Sequence, residues 1–247
     1  KKLFKKGEIV ERIVCFYNPL IRKKQKINFK QYFINKICID FILADIPMDH
    51  IWEPFTTKLL LNLVNKDSNV IIGGSYSGDH AVLLMKILNH NKPKVFCFDP
   101  NRKQNLLLKE NAKINQLSNY KIIRKALWSS DNKKLDLIGD DAYAKVSKSK
   151  NISKALTSTT IDTFVKKRKI KIDLIMLDIE GSEFQVLKGA KLLLGEKNPP
   201  NIIFEIHRKY VNWDKGLEKT KICKFLIIRG YTIFAIRDFQ SNVSLKN

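Results

Sequence analysis

The sequence predicts an α/β protein built on a doubly wound, mainly parallel sheet. Three observations carry that expectation. From Asn69 onward, short apolar strands alternate with helical segments. The first strand runs straight into a glycine-rich turn, Gly73-Gly74-Ser75-Tyr76-Ser77-Gly78. A later apolar run, Ile172 to Leu177, ends abruptly in Asp178, Glu180 and Glu183. An apolar run without alternation reads as a strand buried on both faces, as in parallel sheets. Carboxylates at its end then fall on the carboxyl edge, where open α/β sheets bind ligands. Glu180 and Glu183 also suit the first turn of a following helix, where acids meet the positive dipole end.

The elements follow in order. Residues 1–60 read as an N-terminal helical cap: Phe29 to Ile46 carries apolar residues at helical spacing, and Pro47 and Pro54 interrupt it. Residues 61–247 form the sheet domain. Val70-Ile71-Ile72 is a strand, and Asp79 to Leu88 a helix with Ala81, Leu84, Met85 and Leu88 on one face. Val95 to Phe98 is a strand ending in Asp99-Pro100, Arg102 to Asn115 a helix, and Tyr120 to Ile123 a strand. Residues 129–158 are polar and irregular, with room for a short hairpin. Glu183 to Leu194 reads as a helix stopped by Gly195. Asn201 to His207 is a strand, Leu217 to Ile228 a helix, and Tyr231 to Ile236 a last strand.

Composition narrows the function classes. The 247 residues suit one α/β domain or a domain with an appendage, and 44% hydrophobic residues suffice for a core. No apolar run reaches the roughly 18 residues of a membrane span. The basic start, Lys1 to Lys6, leads into no apolar signal segment, and the absence of an initial Met suits a domain excised from a longer polypeptide. Cys15, Cys38, Cys97 and Cys223 are scattered without a Cys-x-x-Cys pair, which argues against a zinc or redox motif and for a reducing, cytoplasmic compartment. The net charge of +22, with basic runs at Arg22–Lys26 and Lys166–Lys171, favours anionic partners such as nucleotides, acidic glycans, RNA or headgroups. An abundance of Lys and Asn throughout the chain accounts for the same charge equally well. The basic runs carry no interleaved aromatics for base stacking.

The glycine turn matches neither Gly-x-Gly-x-x-Gly nor a Walker A loop, but Gly74 and Gly78 let a ligand approach the backbone. Asp99 strengthens the case. An acid ending the next strand can accept both hydroxyls of a ribose, although it also fits a helix cap before Pro100. The ordered set Glu53-Pro54, Gly74-x-x-x-Gly78-Asp79, Phe98-Asp99-Pro100-Asn101, Leu108-x-x-Asn111, Ala126-Leu127, Thr160-Ile161-Asp162, Leu177 to Glu183, Val186 to Ala190 and Glu205-Ile206-His207 resembles the FkbM-type methyltransferases. These are class I enzymes dependent on S-adenosylmethionine. The resemblance covers about residues 50–210 and implies a Rossmann-like methyltransferase sheet. It implies a cofactor site at Gly74, Ser75, Gly78, Asp99, Pro100, Ala126, Leu127 and Asp178. Family members usually carry Asp at the end of the first strand and Asn within the loop; this chain has Ile72 and Tyr76. Trp128 is bulky where adenine would lie.

The chemistry expected is methyl transfer to a hydroxyl, which needs alignment and a proton acceptor. Asp178 and Glu205 end two candidate neighbouring strands, and His207 shares a pleat face with Glu205. Asp178, Glu205 and His207 are the expected catalytic residues, with His207 as the favoured base. Asp178 and Glu205 offer hard oxygens for magnesium, or manganese with His207 included. Glu53, His80 and Glu180 are candidates for substrate contact. The family implies a sugar or glycan acceptor and a place in a larger glycan-assembly polypeptide, and the +22 charge leads one to expect that acceptor to be anionic. Two alternatives stand beside it: an RNA ribose 2′-O-methyltransferase, favoured by charge, and a degenerate fold serving as a binding module, motivated by Ile72 and Tyr76.

Overall fold

The computed structural model describes residues 10–16, 53–138, 145–148 and 156–236. A seven-stranded sheet forms the centre, in the order β11 (Thr232–Ile236), β1 (Val10–Phe16), β10 (Asn201–His207), β9 (Leu174–Leu177), β2 (Val70–Gly73), β3 (Val95–Phe98), β4 (Tyr120–Ile123). Its parallel heart is β2 (Val70–Gly73), β3 (Val95–Phe98), β4 (Tyr120–Ile123), β9 (Leu174–Leu177) and β10 (Asn201–His207). Order reverses at β2, which has β3 on one side and β9 on the other. That is the switch point at which doubly wound sheets leave a crevice.

Period-two alternation distributes the strands' side chains between two cores. Ile71, Phe96, Phe98, Ile175, Leu177, Ile202 and Phe204 face one, with α4 (Ile161–Arg168), α5 (Glu183–Lys188) and α6 (Lys221–Ile227) supplying Phe164, Val186 and Leu226. Val70, Ile72, Val95, Cys97, Leu174, Met176 and Ile203 face the other, covered by α1 (Pro54–Leu63), α2 (Asp79–Ile87) and α3 (Arg102–Ile114) through Leu60, Leu84 and Leu108. Every residue of β2, β3 and β9 is buried, which is why these strands read as unbroken apolar runs. Cys97 is core, as expected, and burial pushes its thiol up.

A smaller sheet, β5-β8-β6-β7, flanks the first. Ala126–Leu127 (β5) pairs in parallel with Leu156–Thr159 (β8), and β6 (Lys134–Ile138) forms the anticipated hairpin with β7 (Lys145–Lys148).

Four expectations meet corrections or limits. Within residues 1–60, Val10–Phe16 is not helical. It forms β1, inserted antiparallel between β10 and β11 (Thr232–Ile236), so this part of the expected cap belongs to the main sheet. The helix expected over Phe29 to Ile46 lies outside the described residues, as does Arg22–Lys26. Helix α5 stops at Lys188 instead of reaching Leu194; the chain turns at Gly189, which packs so close to the Trp128 carbonyl oxygen that a Cβ there would stand 2.1 Å from it. The chain there abuts β5's exit and turns, with only a 3-10 turn at Leu193–Gly195. Helix α6 starts at Lys221 rather than Leu217, where the Thr220 hydroxyl accepts from Cys223 N–H. Among the described residues no helix is long and apolar enough to cross a membrane.

Candidate active site at the carboxyl edge of the sheet

Strand register sets the site. Gly73 is level with Phe98 and with Leu177, and Leu177 is level with Phe204. The next residue on each strand therefore emerges at one height on the same edge: Gly74, Asp99, Asp178 and Glu205. Four separate sequence signals converge on one line.

The first part is the turn between β2 and α2. A Cβ on Gly74 would lie 1.8 Å from the Asp178 backbone oxygen, and its φ is +77°. Only glycine fits where this turn crosses the end of β9. Gly74 N–H donates to the Phe98 carbonyl and Asp178 N–H to the Gly73 carbonyl, which ties the turn to both neighbouring strands. Tyr76 takes a left-handed conformation at φ 44°, a region Asn tolerates better than an aromatic residue. Its N–H is held by Asp99 Oδ2 at 3.1 Å, while Asp99 Oδ1 accepts from Asn101 N–H at 2.8 Å. Burial pushes the Asp99 carboxyl up to about 6, against the pull of these two bonds. Asp99 thus braces the loop and the start of α3. Each of its oxygens retains a second lone pair, the capacity a diol would need. Ser75 lies buried beside the Cys97 thiol.

The second part follows β9. Glu180 sits at φ 53° and Gly181 at φ 94°, and a Cβ on Gly181 would meet the Tyr210 ring at 2.5 Å. This reversal is clamped from within. Glu183 is 5% exposed, and its Oε1 accepts from Ile179 N–H at 3.1 Å and Gly181 N–H at 3.2 Å. Burial pushes its carboxyl up to about 7; the backbone bonds oppose the rise and the Asp178 charge adds to it. The left-handed turn swings Glu180 back toward the strand ends. One carboxylate oxygen from each of Asp178, Glu180 and Glu205 lies within 4.8 Å of the others. Carboxylates this close need a proton, a donor or a cation among them. Tyr210 supplies one donor, its hydroxyl lying 3.1 Å from Glu180 Oε2. Burial first, and then the charge of Glu180, push that hydroxyl up to about 12, so it stays protonated at neutral pH.

His207 follows Glu205 on the same face, but it stands outside the carboxylate cluster. Its Nδ1 accepts from Lys209 N–H at 2.9 Å, and its ring tilts over Tyr210 with centroids 5.6 Å apart. A neutral imidazole bonded this way carries its proton on Nε2 and offers a donor there. In this geometry the Nδ1 lone pair of His207 is engaged, and the carboxylates offer further oxygens able to accept a proton.

Of the other residues singled out, Ala126 and Leu127 are buried, and a Leu127 methyl would lie 3.1 Å from a Cβ on Gly73, beside the glycine turn. Pro100 and Gly78 flank the start of α3 and α2. Glu53 and His80 meet each other, Oε2 to Nε2, at 3.8 Å where α1 packs on α2. Trp128 is half-buried, its N–H bonded to the Thr159 carbonyl. Lys166–Lys171 precedes β9 and so lies at the opposite edge of the sheet, with Lys166 to Lys169 exposed. Sequence reasoning overlooked Tyr210 and the clamping role of Glu183. The latter's signal was its two- and four-residue spacing from Gly181 and Ile179.

A switch-point crevice with a glycine turn on one side and clustered carboxylates on the other defines a Rossmann-like methyltransferase fold. Residues 73–233 match the family model described as the methyltransferase FkbM domain. The chain belongs to the FkbM methyltransferase family. Among solved structures it is similar to a methyltransferase FkbM from Methylobacillus flagellatus KT (17% identity, 55% of this chain and 32% of that one, TM-score 0.41). It is also similar to an rRNA methylase from Streptococcus thermophilus (10% identity, 62% and 66% of the two chains, TM-score 0.37). The chain thus spans about a third of the FkbM structure's length. No curated protein matches it.

Proposed function

We propose that the chain is an S-adenosylmethionine-dependent O-methyltransferase acting on a hydroxyl of a sugar, a glycan or a related small hydroxylated metabolite. The observation that carries this reading is the common level of Gly74, Asp99, Asp178 and Glu205. It sets the glycine turn and the acid that braces it beside a carboxylate cluster, along one edge. When bound, S-adenosylmethionine supplies an electrophilic methyl. Gly74, Ser75 and Gly78 give its backbone approach, Asp99 accepts from the ribose diol, and Pro100, Ala126 and Leu127 line the base side. Asp178 closes the cofactor side and faces the acceptor.

Asp178 and Glu205 orient the acceptor hydroxyl and take its proton as the oxygen attacks. Glu180, held by Tyr210, is the third oxygen donor of the group. His207 is the remaining catalytic candidate, as the group that orients the acceptor through Nε2. Asp178 and Glu205, joined by Glu180, also form a donor set of hard oxygens that suits magnesium or manganese. The rest of the setting is an acceptor with anionic character, a cytoplasmic location, and a module of a larger glycan-assembly polypeptide.

RNA is the second reading, favoured by the +22 charge. A methyl-incorporation assay with labelled S-adenosylmethionine over glycans, sugar nucleotides and RNA separates the two. Label in sugar-bearing acceptors is the expected result; label in RNA alone would transfer the assignment to the second reading. No label, together with no binding of S-adenosylhomocysteine, would reduce the chain to a binding module. Activity that survives chelation would remove the metal and keep the carboxylates.

A further inference from the structure

We propose that Tyr210 is a positioning residue for methyl transfer, whose hydroxyl fixes the Glu180 side chain within the oxygen cluster. This role rests on the function proposed above and gives that site a working residue on the loop between β10 and α6. Oxygens of Asp178, Glu180 and Glu205 lie within 4.8 Å of one another, so their charges repel. Asp178 directly follows β9 and Glu205 lies within β10, whereas Glu180 is carried by a turn. Its backbone takes φ 53°, a costly conformation for a residue with a Cβ. Glu183 sets that backbone by accepting from Ile179 and Gly181 N–H. It does not set the side-chain torsions of Glu180, whose rotamers leave room to turn away from like charge.

Tyr210 constrains them from the neighbouring loop. Its hydroxyl donates to Glu180 Oε2 at 3.1 Å. The ring behind that hydroxyl is itself held. Tyr210 N–H donates to the His207 carbonyl at 2.9 Å, which anchors the residue to the exit of β10. A Cβ on Gly181 would lie 2.5 Å from the Tyr210 Cγ, so the ring packs directly on the backbone beside Glu180. The His207 ring stands 5.6 Å away between centroids, and Lys209 Nζ lies 5.6 Å from the Tyr210 centroid. A tyrosine has few torsions to lose, so a ring packed in this way carries its hydroxyl at a fixed point.

Backbone and side chain of Glu180 are thus set from different elements, by Glu183 within the turn and by Tyr210 across from it. Gly181 belongs to the same arrangement, since a side chain there would displace the ring and the hydroxyl with it. A reacting group works only when held within a fraction of an ångström of its productive place. Tyr210 therefore acts on turnover through Glu180. Cofactor capture belongs to the glycine turn, which Tyr210 does not brace.

The test is a double-substitution cycle with Tyr210→Phe and Glu180→Ala. It is read by labelled-methyl transfer from saturating S-adenosylmethionine to glycans, sugar nucleotides and RNA, and by titration of S-adenosylhomocysteine. Tyr210→Phe keeps the ring on Gly181 and removes only the hydroxyl. It should lower kcat about tenfold or more, the effect of one lost hydrogen bond to a charged group, with S-adenosylhomocysteine affinity unchanged. In the Glu180→Ala background the same substitution should cost less than about twofold, because the group it holds is gone. A loss of equal size in both backgrounds means that Tyr210 acts without Glu180, and overturns the proposal. Full turnover in Tyr210→Phe overturns it too, as does a matching loss of cofactor affinity, which marks a merely structural residue. If the unmodified chain transfers label to none of these acceptors, the proposed function fails and the positioning role falls with it.

Discussion

The turns after β2 and after β9 are built on one plan and differ in where their brace comes from. Each puts a residue with a Cβ in the left-handed region, Tyr76 and Glu180, one or two positions from a glycine where a Cβ would clash with its neighbours. Each is held by a buried carboxylate that accepts backbone N–H groups, and burial raises the proton affinity of both braces. The first brace, Asp99, is borrowed from the neighbouring strand and sits 8% exposed at the crevice; the second, Glu183, lies within its own loop. A borrowed brace at the mouth of a crevice can also touch a ligand. An internal brace cannot, and in this turn it is Glu183, rather than Asp178 or Glu180, that accepts the backbone N–H groups. In the proposed function the first turn holds the cofactor with its borrowed brace, and the second uses its brace to aim the carboxylate oxygens.

The largest expected effect is at Gly74. Gly74→Ala drives a methyl into the Asp178 backbone, so the β2 turn and the end of β9 must part. We expect loss of S-adenosylhomocysteine binding and a fall of several degrees in melting temperature, read by calorimetry and thermal scan. An alanine variant that binds normally would mean the two turns are not packed as described.

Next is the reactive edge. Asp178→Asn should lower turnover by about 10²–10⁴-fold, the usual contribution of a positioned base. Single-turnover rates with saturating cofactor are the readout. His207→Ala should cost less than Asp178→Asn, since its Nδ1 is committed to Lys209. A larger loss at His207 would restore it as the base.

The pH dependence of cofactor binding separates the two braces. Burial pushes the Asp99 carboxyl up to about 6. Below that pH its carboxyl takes a proton and loses acceptor capacity, so S-adenosylhomocysteine affinity should decline as pH falls from 7 to 5, and Asp99→Asn should flatten the profile. A profile unchanged by the substitution would assign the titration to another group.

The smallest effect is remote from both turns. Asp131 gathers Thr163 Oγ1 at 2.7 Å, Thr160 N–H at 2.9 Å and Thr159 Oγ1 at 3.0 Å. Burial raises its carboxyl, but these bonds outweigh that and leave it below the ordinary aspartate value. A depressed carboxylate stabilises the fold above its unfolded pKa and loses that stabilisation as pH falls through the folded value. Asp131→Asn should therefore cost roughly 1–2 kcal/mol at pH 7 in urea melts, with the difference shrinking in acid and turnover unaffected. A deficit that persisted unchanged at acid pH would assign the loss to packing instead.

Much of this architecture was legible in the residues. The apolar runs at Val70, Val95 and Leu174 are buried on both faces, so composition alone marks them as central strands. Asp99 and Asp178 were legible because a carboxylate directly after such a run has nowhere to go but the edge. Val10–Phe16 was not, since its partners lie near residues 202–207 and 232–236, and no local pattern names a distant neighbour. Glu180 was read as a substrate contact, and its place in the oxygen cluster depends on a φ of 53° that residue type does not dictate. The early end of α5 coincides with the close approach of Gly189 to Trp128, a tertiary contact with no local signature.

The central claim is that the two turns divide the labour, one holding cofactor and the other performing transfer. Parallel titrations of S-adenosylhomocysteine into Asp99→Ala and Asp178→Asn test it most directly. Losing a hydrogen bond to a charged group costs roughly 1.5–3 kcal/mol, so Asp99→Ala should bind about ten- to a hundredfold more weakly, while Asp178→Asn stays close to the unmodified chain. Equal losses in the two variants, or an Asp99→Ala protein that is folded and binds as before, would contradict the account.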